Sequence, residues 1–216
     1  FKNLKSPYLG VDYSVEDIDS TLKKINKSNI LKYDLINDNN ELNNKVSSLI
    51  ADSKVVGWFQ NKMEFGPRAL GNRSILADPR NPNMKNIINR KIKLRESFRP
   101  FAPSVIKDFQ REWFEDSFDN LYMSSISKVK LQKKNIIPAV THVDGTARIQ
   151  SVSKEINLKF YNLIMSFYKI TGVPILLNTS FNENEPIVNH PAEAINCFLR
   201  TKMDILVIEN FIICRK

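Results

Sequence analysis

Glu155-Ile156-Asn157-Leu158-Lys159-Phe160-Tyr161-Asn162-Leu163-Ile164-Met165-Ser166-Phe167-Tyr168-Lys169-Ile170-Thr171-Gly172-Val173-Pro174-Ile175-Leu176-Leu177-Asn178-Thr179-Ser180-Phe181-Asn182 changes its periodicity once, and that change sets the fold class. Phe160, Leu163, Ile164, Phe167 and Tyr168 recur at helical spacing, so residues 155–170 read as a helix that packs its apolar stripe into a core. Gly172 can cap its end. The short apolar run 174–177 then reads as a buried strand that leads into the polar group Asn178 to Asn182. Ligands in α/β folds bind at strand ends, although an ordinary Asx or Ser turn has the same composition.

Outward from this unit the two textures alternate. Downstream, residues 191–202 read as a helix with Pro191 in its first turn. Residues 204–208 and 211–214 read as a closing hairpin around Glu209-Asn210. Upstream, 55–59, 74–77 and 101–106 read as short strands, and Pro103 argues for an edge or a bulge in the last. Residues 83–93 and 107–115 read as helices and 124–135 as a polar loop. Residues 136–143 and 147–152 read as extended segments around an Asp144-Gly145 turn. The Asn- and Lys-rich start carries two amphipathic helical patterns, 14–27 and 40–51. Strands and helices alternate without strict βαβ order, which implies an α/β domain around a twisted mixed sheet with surrounding helices. A change of texture at Lys54 divides the chain into a helical lead-in, 1–53, and a main domain, 54–216.

The 216 residues carry a formal net charge of +9. That surplus suggests an anionic partner: nucleic acid, a membrane or a phosphorylated small molecule. No apolar run approaches the roughly 18 residues of a membrane span, and no signal-peptide pattern opens the chain. The two cysteines, Cys197 and Cys214, have no metal-ligand spacing and fit a reducing, cytoplasmic setting. Lysines are scattered as on a solvated face, but six of the ten arginines lie between Arg68 and Arg99. Arginine grips phosphate bidentately where lysine cannot, so this concentration favours an anion site.

Four segments carry candidate chemistry. Met63-Glu64-Phe65-Gly66-Pro67-Arg68-Ala69-Leu70-Gly71-Asn72-Arg73-Ser74 places two glycines and a proline around two arginines, a rigid turn suited to cradling an oxyanion or simply a tight surface turn. Lys91 to Pro103 crowds charges against Phe98, Phe101 and two prolines. From a bend there, Lys93 and Arg99 could meet one phosphate; a helix terminus with basic dipole partners is the alternative. Thr141 to Arg148 sets His142, Asp144 and Arg148 around a glycine turn, which makes neither a triad nor a metal site. Asn178 to Asn182 is the fourth. Walker, dinucleotide, Cys-x-x-Cys and nucleophile-elbow motifs are absent. The chemistry therefore needs no covalent enzyme intermediate, and positioning with charge neutralisation suffices.

Gly57-Trp58-Phe59-Gln60, then 63–74, 98–103, 141–148 and 172–182, in this order, resemble the C-terminal domain of the O-carbamoyltransferases of nodulation-factor and antibiotic biosynthesis. The resemblance runs from about Lys54 to the end, with a weaker echo at Pro7-Tyr8-Leu9-Gly10. It implies a YrdC-like fold, similar to threonylcarbamoyl-adenylate synthase. It implies carbamoyl phosphate and ATP as substrates, Mg²⁺ arriving with ATP, and carbamoyl-adenylate as product. It also implies a separate N-terminal domain of the kinase/Hsp70-like type, which with its own metal passes the carbamoyl group to a hydroxyl. This chain, which lacks a starting Met, is expected to be a piece cut from such a protein.

By motif position the resemblance places Arg68, Lys93, Arg99 and Arg148 as catalytic groups around the two polyanions. Arg73, His142, Asn178 and Ser180 become substrate- or nucleotide-binding, with Ser180 and Asn178 orienting oxygens. Two rival expectations stand beside it: a basic RNA-binding module, and an inactive docking domain of the same fold. The arginine cluster is not interleaved with aromatics in an RNA-reading pattern, which argues against nucleic acid. Neither the hydroxyl acceptor nor the oligomeric state follows from the sequence.

Overall fold

A computed structural model of the chain describes residues 6–115 and 118–216. The strands are β1 (Leu31–Leu35), β2 (Val56–Phe59), β3 (Arg73–Ala77), β4 (Ala102–Ile106), β5 (Ser127–Lys128), β6 (Thr146–Ala147), β7 (Gln150–Val152), β8 (Ile175–Ser180), β9 (Ile205–Ile208) and β10 (Phe211–Arg215). The α-helices are α1 (Val15–Ile25), α2 (Asn39–Ala51), α3 (Met84–Lys91), α4 (Gln110–Trp113), α5 (Leu158–Thr171) and α6 (Pro191–Arg200). Eight strands form one mixed sheet in the order β1-β10-β9-β2-β3-β8-β4-β7, and β5 with β6 forms a separate small ladder. β9 runs parallel to β2 and β7 parallel to β4; the other neighbours are antiparallel.

The central strands β2, β3 and β4 are buried at every position. Both faces of the sheet must therefore be covered, and two helix pairs do this. α2 lies along α5, which meets β4 and β8, while α1 lies along α6, which meets β2 and β9. α5 behaves as its periodicity requires: Phe160, Leu163, Ile164 and Phe167 are fully buried, each contributing roughly 1.5–3 kcal/mol. Asn157 caps its start by accepting the Phe160 N–H (3.0 Å), and Gly172 ends it in the left-handed region at φ 72°.

Three expectations change. The lead-in is built into the domain. β1 pairs with β10, and Ile18, Leu22, Leu31, Leu42, Val46 and Ile50 share one core cluster with Ile164 and Leu206. The packing carries no boundary at residue 54, because the apolar stripes of α1 and α2 have no other core to enter. Pro103 lies in β4, an inner strand of the sheet order paired there with β8 alone, and not in an edge strand or a bulge. Pairing with β7 begins only at Ser104, so the missing N–H interrupts no ladder on that side. Residues 136–143 form no strand. Pro138 opens a 3₁₀ turn (Pro138–Val140), and the apolar Ile137, Ala139 and Val140 serve burial rather than pairing.

Candidate functional site

The turn that carries Arg68 is tied from inside by Glu64. This side chain is 2% exposed. Its Oε1 accepts the backbone N–H groups of Leu70 (2.5 Å), Asn72 (3.3 Å) and Arg73 (3.3 Å). The chain reverses at Gly71 with φ 106°, and a Cβ there would lie 2.2 Å from Phe160 Cδ1, so only glycine fits. From the far side, Tyr8 Oη (2.8 Å) and Gln150 Nε2 (2.7 Å) donate to the Leu70 carbonyl, and Asn178 Nδ2 (3.2 Å) donates to that of Ala69. With its backbone fixed on both sides, the turn presents the exposed Arg68 at the wall of a cleft.

Arg73, expected to bind substrate, does not reach this cleft. It is fully buried, its guanidinium lies 3.5 Å above the Phe59 ring, and Nη1 donates to the carbonyls of Gln60 (2.7 Å), Asn61 (3.1 Å) and Asn72 (3.0 Å). Burial pushes its pKa down to about 10, with Glu64 opposing. It clamps the base of the Arg68 turn.

Lys93 also sits behind the wall, at 2% exposure. Its ammonium is caged by Ser180 O (2.6 Å), Ser180 Oγ (3.2 Å), Asn182 O (2.7 Å) and Asn182 Oδ1 (2.6 Å). It reaches the cleft through Ser180. Burial, then the nearby Arg95, pushes its pKa down to about 7.

The cleft has a volume of about 330 Å³ and collects Arg68, Arg95, Arg99, His142, Arg148, Asn178 and Ser180 in its lining. Of the eight side chains expected from the sequence, the structure therefore brings six together and sets Arg73 and Lys93 behind them. Burial and then Arg68 hold the Arg148 guanidinium below its usual range; burial and then Arg99 do the same to Arg95. Burial keeps the His142 imidazole low, Arg148 adds to the effect, and Asp144 opposes it. Beside these groups Asp144 acts on His142, and Glu96 is already paired with Arg99 Nε at 2.9 Å. Four arginines lining one cleft have the chemistry to hold an anion of more than one charge.

Arg95 was not anticipated. It extends from Leu94, which is in the left-handed region at φ 45°, and it is braced by Asn89 Oδ1 (2.8 Å) and the Phe101 ring. Its position within the charged run 91–103 was the available signal. Asn182 supplies half of the Lys93 cage, a part that its place in the polar group 178–182 does not reveal.

The Lys93 pKa gives a pH dependence with a definite sign. A protonated Lys93 favours an anion in the cleft, so anion affinity should be highest below pH 7 and fall as pH rises through about 7. Sulfate does not titrate in this range and is the cleaner probe. From pH 6 to 8.5 its affinity should fall roughly three- to tenfold, the effect of about 1 kcal/mol from one nearby charge. In Lys93→Met the step near pH 7 should vanish, and a flat wild-type titration would show that Lys93 does not act on the cleft.

The family described as the carbamoyltransferase C-terminus matches residues 47–215. The uncharacterized protein sll1178 of Synechocystis sp. is 44% identical over 229 residues, covering 96% of this chain and 37% of the relative. The nodulation protein NolNO of Sinorhizobium fredii is 51% identical over 176 residues, covering 80% of this chain and 26% of the relative. The chain thus spans well under half the length of either. Among solved structures, P. abyssi Sua5 superposes with a TM-score of 0.51 at 10% identity, over 79% of this chain and 49% of that one; it shows the shared YrdC-like fold alone. With the family match extending from within α2 to β10, the chain belongs to the carbamoyltransferase C-terminal family.

Proposed function

We propose that the cleft binds carbamoyl phosphate and the phosphates of ATP and forms carbamoyl-adenylate, as the C-terminal part of an ATP-dependent O-carbamoyltransferase. The observation that carries this reading is the convergence of Arg68, Arg95, Arg99 and Arg148 on one cleft in a chain of this family. Water cleaves carbamoyl phosphate to carbamate and inorganic phosphate. A carbamate oxygen then attacks the α-phosphorus of ATP, and the bond to the β-phosphate oxygen breaks to release pyrophosphate. The four guanidinium groups offset the charge of the two polyanions, and Ser180, fixed by Lys93, orients an oxygen. Catalysis here is positioning and electrostatics, with no covalent enzyme intermediate.

The donor set does not fit a protein-held Mg²⁺. Among the described residues no three His, Cys, Asp or Glu side chains gather, and the cleft is lined by cations. A metal arriving with ATP would be held by the nucleotide, and no step above passes through it. Transfer to a hydroxyl is assigned to a further part of the longer protein.

Calorimetry with carbamoyl phosphate, ATP and a short RNA in parallel tests the reading. The expected result is saturable binding of carbamoyl phosphate and ATP, together with pyrophosphate release that requires both. RNA binding without carbamoyl phosphate binding would favour the rival basic module. An O-carbamoylated hydroxyl product from this chain alone would overturn the division of labour.

A further inference from the structure

Pro7-Tyr8-Leu9-Gly10 lies outside the matched residues 47–215, yet it braces the turn that carries Arg68. The segment runs antiparallel to the first residues of that turn. The Phe65 N–H donates to the Pro7 carbonyl (2.7 Å), the Gly10 N–H donates to that of Met63 (2.9 Å), and Tyr8 stands opposite Glu64. Gly10 permits this approach, because a Cβ there would lie 2.7 Å from Met63 Cβ. From this strap the Tyr8 side chain crosses to the middle of the turn. It packs against the cluster of Leu70, Ala102 and Met123, and its hydroxyl donates to the Leu70 carbonyl (2.8 Å). Ala102 and Met123 line the cleft, whereas Tyr8 is not among the lining residues.

The strap thus grips the turn twice, at 63–65 through the backbone and at Leu70 through one side chain, and Arg68 stands between the two grips. A guanidinium adds to affinity only while its backbone holds it in the binding position, so apparent affinity falls with the fraction of time it does not. The strap itself is thinly held. Leu9, Val11 and Phe65 are exposed around a hollow of about 280 Å³ that strap and turn both border, so little apolar burial opposes its release.

We propose that Tyr8 is a positioning residue for the anion site, and that residues 7–10 act as a clasp whose seating on 63–65 and Leu70 sets the contribution of Arg68 to phosphate affinity. This rests on the anion-binding reading of the cleft above. The clasp acts through Arg68 and makes no contact with the ligand.

Calorimetry with inorganic phosphate on the intact chain, Tyr8→Phe and Gly10→Val tests this, with Tyr8→Phe repeated on Arg68→Ala and on Arg95→Ala. Tyr8→Phe keeps the ring and removes only the hydroxyl, while Gly10→Val forces the strap off Met63. Each should weaken phosphate binding about three- to tenfold, the effect of one ordinary hydrogen bond. The Leu70 carbonyl keeps Gln150 Nε2 as a donor, so Tyr8→Phe should melt within about 4 °C of wild type and stay folded during the titration. On Arg68→Ala the loss from Tyr8→Phe should vanish, because the residue it positions is gone. On Arg95→Ala it should persist in full, since Arg95 is braced by Asn89 and Phe101 and not by the strap. A purely structural role would loosen the site equally in both backgrounds. Unchanged affinity in either strap variant, or an equal loss on both arginine variants, overturns the proposal and leaves the anion site standing. If the wild-type chain does not bind phosphate, the anion reading fails and the proposal falls with it.

Discussion

Glu64→Ala should lower the melting temperature by roughly 6–12 °C and remove phosphate binding at the same time. The stability loss follows from three backbone N–H groups, those of Leu70, Asn72 and Arg73, which lose their shared acceptor inside the protein. Unsatisfied buried donors cost about 1–3 kcal/mol each, so about 3 kcal/mol is a lower bound. A chain of this size shifts by about 2–4 °C per kcal/mol. The binding loss follows because the same three groups hold the turn on which Arg68 stands. Glu64→Gln separates geometry from charge. It keeps an oxygen at the Oε1 position, and burial already holds the Glu64 carboxyl above the usual carboxylate range. The Gln variant should therefore melt close to wild type and bind phosphate. Thermal unfolding with a phosphate titration reads both effects. An Ala variant that melts within 2 °C of wild type, on the same approximate scale, would mean the carboxylate is not what holds the turn.

Glu64 also marks the limit of what the sequence conveys. Periodicity located α5, its glycine cap and β8, because a 3.6-residue stripe followed by a short apolar run has one economical packing. It missed β1, since Lys32 and Asp34 alternate with apolar residues over only five positions beside a polar loop. It took 136–143 for a strand because burial and pairing draw on the same apolar residues.

At the site, residue type and spacing were enough to pick out the segments that meet, and these line one cleft. Side-chain direction was not readable. Arg68 and Arg73 stand in one motif, yet one enters the cleft and the other turns onto Phe59. Lys93 and Arg95 are two residues apart, and the expectation chose the one that lies behind the wall. The positive φ at Leu94, which separates their directions, leaves no trace in composition. Glu64 stands in the 63–74 run with no part assigned to it, because its part depends on three N–H groups that only the folded turn brings together.

Arg148→Met should have the opposite signature: binding falls while stability holds or rises. Arg148 makes no ion pair among the described residues. Its Nε is buried without a partner, and Arg68 nearby carries the same sign. The folded protein thus holds a cation that burial and a like charge both oppose, an arrangement that stabilises nothing until an anion arrives. Methionine keeps much of the apolar stem and removes both penalties. Inorganic phosphate affinity should drop about 10- to 150-fold, the range of one charge-assisted hydrogen bond of roughly 1.5–3 kcal/mol. The melting temperature without phosphate should stay equal to wild type or rise by a few degrees. Ligand linkage supplies an internal control, since phosphate stabilises only the state that binds it. Added phosphate should raise the wild-type melting temperature and leave that of Arg148→Met nearly unmoved. A variant that melts well below wild type yet keeps its phosphate-dependent shift would make Arg148 a packing residue. In that case the anion would be held by Arg68, Arg95 and Arg99 alone.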